Sequence, residues 1–320
     1  MTVMRLIKSS GLAVRVLFSM VTGIGVFAVG IVFTATFIGI AIVSIPVIIL
    51  PDPPISERDF WSAALAIGLV IALPFFAWSI RKTIREERRQ LLDSTVSVSE
   101  TTLEDAELIE ALLRRLATQF DVPESELRIH PATTPLAYTT YRPDDPILRT
   151  RHMDRPVVVV SEGLVAALSR EEIGAVLAHE LAHLTNDDLH LITWVLVPLV
   201  AAEQMQDDEI TSGDLLGIVG WILASIAAIG VGFFSRGREM AADRGAVAVM
   251  GEPMTLAAAL SRLDDSAPAK PTEDLRKHAR SMNAVNVLPT LGPDGDTLGL
   301  RATHPPIDIR IEQLRSLAQT

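Results

Sequence analysis

Residues 177–188 read LAHELAHLTNDD. His179 and His183 are four apart, so on a helix they project from one face, one turn apart. Two imidazoles so placed can bind one tetrahedral Zn²⁺ at about 2.0–2.1 Å each. Glu180 is turned about 100° around the axis from His179. It is therefore placed to accept a proton from a water that a metal has acidified, without being forced to ligate, which is the chemistry of an HExxH helix. The opposing reading is a pair of surface histidines on an amphipathic helix. It fits poorly, because the flanks IGAVLA and LAHL are apolar. Two imidazoles and a carboxylate buried there without a metal or polar partners would be costly.

A zinc peptidase needs a third protein ligand and an open fourth position. The chain has no cysteine, which removes thiolate ligands, a cysteine nucleophile and disulfides together. Any metal site must use histidine and carboxylate. The best third ligand lies in SRGREMAADRGA, residues 235–246. Glu239 and Asp243 are again four apart and face the same way. Glu239 is the expected ligand, and Asp243 the expected partner for the second nitrogen of a ligand histidine. Two carboxylates amid arginines are common on solvated faces. This pair gains weight because it directly follows an apolar span that returns the chain to the active-site side.

The surroundings of these motifs are those of a membrane protein. Hydrophobic residues make up 49% of the 320, and the mean hydropathy is +0.34, too apolar for an ordinary soluble enzyme. The net charge of −11 argues against a nucleic-acid partner. Leu17 to Leu50 carries no charge. As one straight helix it would be roughly 50 Å long against a hydrocarbon core of about 30 Å, so it must tilt, kink or project. Gly23, Gly25, Gly30 and Pro46 are places to bend. A cleaved signal peptide is the rival, but the run is far longer than a signal's apolar region. A second span is expected over 61–80, a marginal one over about 189–205, and a clear one over 215–234. Short buried core helices are the alternative for the marginal segment.

Basic residues flank the first two spans: Arg5, Lys8 and Arg15 before, and Arg81, Lys82, Arg85, Arg88 and Arg89 after. The loops PDPPISERDF and EQMQDDEITSGD are acidic. The positive-inside rule then places the N-terminus and the catalytic side in the cytoplasm. Between the membrane segments the chain has soluble character. TTLEDAELIEALLRRLATQF has helical periodicity, with a candidate capping box from Thr101 to Glu104. ELRIHPA, PLAYTTY and RPVVVVS are short β-prone runs broken by proline, read as a small sheet. Ser169 and Glu172 form a second capping box opening the HExxH helix, which the sequence continues into the apolar segment at Leu189. A helix around 236–263 and a last short one after Pro306 complete the chain.

Three segments together, VVVVSEGLVAALSREEIGAVLAHELAHLTNDD, FFSRGREMAADRGA and THPPIDIRIEQL, resemble the integral-membrane zinc metallopeptidases of the HtpX type. They occur in that family's order, and the resemblance covers roughly residues 100–320. It implies His179, His183 and Glu239 as ligands of one Zn²⁺ per chain, Glu180 as general base, and Asp243 behind the ligands. It also implies structural or substrate-side roles for Asn186 and Asp188. His304 and Arg310 match the family's C-terminal motif, and the resemblance implies that they approach the site and stabilise the oxyanion. Their residues alone read equally as a proline-initiated surface helix with Arg310 paired locally. One departure concerns the strand before the active-site helix. Relatives carry an Asn-Ala-Phe type stretch where this chain has Leu136, Ala137 and Tyr138. His130, His152, His190 and His278 match no ligand pattern, although His190 follows His183 by two turns.

The expectation is a mainly α-helical membrane protein. It has about four transmembrane helices and a zinc-peptidase domain with a small β-sheet. Residues 1–95 form an N-terminal membrane hairpin and residues 96–320 the peptidase domain. By resemblance it would be a multi-pass cell-membrane endopeptidase degrading misfolded or damaged membrane proteins, with polypeptides and the lipid bilayer as its partners. A dedicated processing enzyme of the CAAX prenyl-protease kind and a non-catalytic membrane scaffold are the two alternatives.

Overall fold

The computed structural model describes residues 10–49, 56–146, 155–186, 215–265 and 305–319. The chain divides into two compact units. One comprises Phe18–Ile84 and Trp194–Gly230; the other comprises Met1–Leu17, Arg85–Thr193 and Val231–Thr320.

The first unit contains two long helices, α1 (Ser10–Ile49) and most of α2 (Glu57–Asp93). Among the described residues, Ala28–Ile49 and Glu57–Asp93 are the segments long and apolar enough to cross a membrane. Their outward side chains include Ile48, Ile49 and Val70, each more than 70% exposed, a burden that lipid removes. α1 is one continuous 40-residue helix through Pro46. At 1.5 Å per residue it is about 60 Å long, so tilt or projection beyond the hydrocarbon core must absorb the excess. The two helices pack through small residues. Ala35 and Ala64 are fully buried. A side chain added at Gly39 would overlap the Ala64 carbonyl, and one at Gly68 would overlap the Ala35 carbonyl. Each helix thus carries an Ala-x-x-x-Gly pair that lets the backbones touch, the small-residue packing favoured in lipid. Of the other expected spans, 215–234 lies within one long helix, α6 (Leu215–Met250). The segment 189–205 lies outside the described residues.

The second unit holds a four-stranded mixed sheet of order β1-β2-β4-β3. Its strands are β1 (Val96–Ser97), β2 (Glu126–His130), β3 (Ala137–Thr140) and β4 (Val157–Ser161). β2 and β4 run parallel, and β3 pairs antiparallel to β4 with Ala137 opposite Val160 and Thr139 opposite Val158. β4 is buried along its whole length, as a Val run covered on both faces should be. The alternation of a strand sorts its neighbours. Leu127, Ile129, Ala137, Val158 and Val160 join the main core, while Tyr138, Val157 and Val159 face Leu91 and Leu92 at the end of α2. The Tyr138 hydroxyl donates to the Leu91 carbonyl at 2.7 Å.

Against the first face lie α3 (Ala106–Phe120), the short α4 (Glu162–Ala167) and α5 (Arg170–Thr185). α3 buries Ile109, Leu113, Leu116, Ala117 and Phe120, a stripe at helical spacing. The Thr101–Glu104 capping box does not form. Thr101 Oγ1 instead accepts from the Leu103 amide, Leu103 packs on the core, and the chain turns before α3 begins at Ala106. The Ser169–Glu172 box does form, with both reciprocal hydrogen bonds, and Arg262 reaches Glu172 at 3.0 Å from α7 (Pro253–Asp265). The helix expected over 236–263 is two helices. Gly251 adopts φ 75°, a left-handed geometry that ends α6, and Pro253, which has no amide hydrogen, starts α7. α8 (Ile307–Leu317) packs on α7. α5 ends at Thr185, and its expected apolar continuation lies outside the described residues.

Candidate active site

α5 is a central helix, buried without a break from Glu172 to Leu184. That burial turns its polar residues inward: His179, Glu180 and His183 are all at most 4% exposed. The C-terminal half of α6 lies beside it. Gly245 permits the approach, because a Cβ there would stand 2.9 Å from the Ala182 Cβ. Ala182 lies between the two histidines along α5, so this contact sets how far α6 stands from them. Glu239 and Asp243, one turn apart on α6, are both fully buried.

The three ligand candidates form a small triangle. His179 Nε2 and His183 Nε2 are 3.2 Å apart. Glu239 places Oε2 at 3.4 Å from His179 Nε2 and Oε1 at 3.6 Å from His183 Nε2. Two ligands of one tetrahedral ion at the usual zinc distances are about 3.3 Å apart. The three separations therefore match the edges of one metal's coordination shell, and among the described residues these three form the group of His and carboxylate side chains able to share an ion. Charge gives a second test of fit. Three buried carboxylates, Glu180, Glu239 and Asp243, are gathered with two buried guanidiniums, Arg238 and Arg310. With His179 neutral, as a metal ligand must be, the cluster is one positive charge short, which a bound cation would supply.

Each titrating group responds to this enclosure. Burial disfavours the imidazolium of His179, but the Asp243 and Glu239 carboxylates outweigh it and raise the pKa to about 9. Asp243 Oδ1 lies 2.9 Å from His179 Nδ1, a close charge pairing that is not aligned as a hydrogen bond. Burial and then the Arg238 charge hold His183 well below the ordinary histidine value, so it presents a neutral lone pair. Burial lifts Glu180 to about 7, against the pull of His179 and of a hydrogen bond from Thr139. Burial would also raise Asp243, but Arg310 and His179 outweigh it and lower its pKa.

Arg310 is fully buried, and it comes to the cluster from α8. It donates from Nε to Asp243 Oδ2 at 2.9 Å and from Nη2 to Oδ1 at 2.7 Å. Its Nη1 also stands 3.4 Å from Glu239 Oε2. Arg310 is thus neither a surface residue nor locally paired; its partner is 67 positions away. Asn186 closes α5, its amide donating to the Ala182 carbonyl at 3.0 Å. His304, Asp188, His152, His190 and His278 lie outside the described residues. His130 is structural: Nδ1 accepts from the Ala132 amide at 3.0 Å and Nε2 lies 2.8 Å from the Ser94 hydroxyl.

Two members of the cluster were not singled out from the sequence. Arg238 is 3% exposed and donates from Nη2 to Glu239 Oε1 at 2.8 Å. Its adjacency to Glu239 was the available signal. Thr139, from β3, donates from Oγ1 to Glu180 Oε2 at 2.7 Å. Nothing local to its sequence marks it.

A buried helix that offers two histidines and a glutamate to a carboxylate from a second helix belongs to the metallopeptidase class. Comparison with known proteins gives the family. Residues 105–318 match the description of peptidase family M48. The chain is 32% identical over 240 residues to the protease HtpX homolog of Moorella thermoacetica, covering 70% of this chain and 77% of that one. It is 29% identical over 271 residues to the protease HtpX homolog 2 of Methanosarcina mazei, covering 80% and 84% respectively. The crystal structure of S. mikatae Ste24p is a more distant likeness, with 18% identity and a TM-score of 0.41 over 79% of this chain and 64% of that chain. The chain belongs to peptidase family M48, and within it to the HtpX-like membrane zinc metallopeptidases. A non-catalytic scaffold is thereby set aside, and a dedicated CAAX-type processing enzyme is not the favoured reading.

Proposed function

We propose that the chain is a zinc-dependent endopeptidase of membrane-protein quality control, cutting misfolded or damaged membrane proteins at the cytoplasmic surface. The observation that carries this reading is the triangle of His179, His183 and Glu239 with the Glu180 carboxylate gathered in the same buried cluster. His179, His183 and Glu239 would hold a zinc ion, which would supply Lewis-acid chemistry to the site. Glu180 accepts the proton of the attacking water and delivers it to the leaving amine. A resting pKa near neutrality suits a group that must both take and give that proton. Asp243 orients His179, and Arg310 orients Asp243. His304, through its family motif, is assigned the developing oxyanion. The basic end of α2 and the acidic loops support the cytoplasmic orientation. The quality-control role is what the resemblance of the three motif segments to the HtpX type implies.

Metal analysis and a degradation assay in detergent test this proposal. The wild type should carry about one zinc per chain and degrade an unfolded membrane protein. Chelation should stop it, and added zinc should restore it. Glu180→Gln should keep the zinc and lose the proteolysis. Proteolysis retained by Glu180→Gln would remove the assignment of the base.

A further inference from the structure

Glu180 is held by one oxygen only. Oε2 accepts the Thr139 hydroxyl at 2.7 Å, while Oε1 is buried and has no hydrogen-bond partner among the described residues. Both residues are 1% exposed, so water does not supply alternatives cheaply. An ionised carboxylate only accepts, so the hydroxyl is the donor. The strand fixes which residue does this. On β3, Ala137 and Thr139 face α5 while Tyr138 turns to the opposite face of the sheet. Thr139 is opposite Val158 at the centre of the pairing with β4, and its β-branched side chain has little rotamer freedom there.

We propose that Thr139 is the positioning residue for the general base: it pins Oε2 of Glu180 so that Oε1 alone is presented to the reacting water and the leaving amine. The inference rests on the reading of Glu180 as the base. Pinning answers a specific hazard of this cluster. Glu180 shares its enclosure with His179, Arg238 and Arg310, whose charges all act on or feel it. A carboxylate on three rotatable bonds is drawn toward such cations, and each such pairing would take the base away from the substrate. One charge-assisted hydrogen bond from a rigid strand opposes that collapse. It leaves Oε1 without a partner among the described side chains, open to the reacting water.

The test compares Thr139→Val, which keeps the shape and removes the donor, with Thr139→Ser, which restores the donor on a smaller side chain. Thr139→Ala serves as a second donor-free variant that adds no methyl in place of the hydroxyl. The donor-free variants should lose about ten- to a hundredfold in kcat, the usual scale for one misplaced charged hydrogen bond. KM should stay within about twofold, because substrate binding is untouched. Thr139→Ser should recover most of the rate. Two readouts stand apart from turnover. Zinc content should remain that of the wild type. The infrared carboxylate stretch that disappears in Glu180→Gln should shift in Thr139→Val. Wild-type kcat in both donor-free variants, a loss that serine does not restore, or an unshifted carboxylate band would overturn the inference. A Glu180→Gln enzyme that still cleaves would instead overturn the function on which it rests, so the two failures are told apart.

Discussion

Arg310 grips Asp243 with two nitrogens, Nε to Oδ2 at 2.9 Å and Nη2 to Oδ1 at 2.7 Å, where neither side chain meets solvent. The pair ties α8 to α6 directly behind His179, whose Nδ1 is 2.9 Å from Asp243 Oδ1. Removing one member of such a pair strands the other as a buried charge. Arg310→Met should therefore destabilise the fold by about 3–5 kcal/mol. Arg310→Lys keeps the charge but loses the two-pronged geometry, and should lie between wild type and Arg310→Met. Because the Asp243 pKa is lowered in the fold, the pair's stabilisation is present above the ordinary aspartate value and is lost as the pH falls below it. Denaturant unfolding in detergent at neutral and acidic pH measures both effects. Equal unfolding curves for Arg310→Met and wild type would remove the structural role.

Metal and proton compete for His179. The carboxylates around it favour the imidazolium up to about pH 9, whereas a metal needs the neutral ring. Zinc binding must then release a proton at neutral pH, and the apparent affinity should fall about tenfold for each pH unit below 9. His183 adds nothing to this slope, since its pKa is held well below the ordinary value. Chelator competition at pH 6.5, 7.5 and 8.5 reads the slope. A flat profile would mean that His179 is already neutral.

The distance between α5 and α6 is set at Gly245. Its missing side chain is the space taken by Ala182, and a Cβ would come to 2.9 Å from the alanine methyl. Gly245→Val should push α6 away from α5 and lengthen the separations of Glu239 from His179 and His183. The expected result is a loss of zinc affinity of at least about tenfold, comparable to disturbing the groups that orient ligands, with helix content by circular dichroism unchanged. Zinc affinity equal to wild type would show that the helices yield without moving the ligands.

What the sequence made legible was what depends on spacing along one helix. The i, i+4 relation places His179 beside His183, and Glu239 beside Asp243, before any tertiary fact is known. The Ser169–Glu172 capping box is similarly local and forms as its residues dictate. Relations between distant segments were less legible. Arg310 read equally as a surface arginine on its own residues, and the resemblance alone brought it to the site, because the partner that buries it is on another helix. Thr139 was hidden because its role depends on strand register and on which face meets α5. β1 is two residues long, below the length at which alternation is a signal. The break at Gly251 was signalled by Gly-Glu-Pro, but the apolar periodicity runs across it into α7 and hides the stop.

The contact between α1 and α2 offers a separate test within the membrane hairpin. Gly39 meets Ala64 and Gly68 meets Ala35, with no room for a side chain at either glycine. In lipid no hydrophobic effect drives helices together, so association depends on this close packing. Gly39→Leu places a branched side chain against a backbone carbonyl that has nowhere to retreat except with its whole helix. The two helices should separate locally. Ile31 and Ala72 belong to one buried cluster further along the same contact, and the chain has no native cysteine. An Ile31→Cys, Ala72→Cys pair therefore gives a clean cross-linking readout in nanodiscs. Cross-linking should be efficient with Gly39 in place and strongly reduced with Gly39→Leu, while Gly25→Leu, at a glycine with open space around it, should leave the yield unchanged. Equal yields for all three would show that the helices are held together by something other than the small-residue contact.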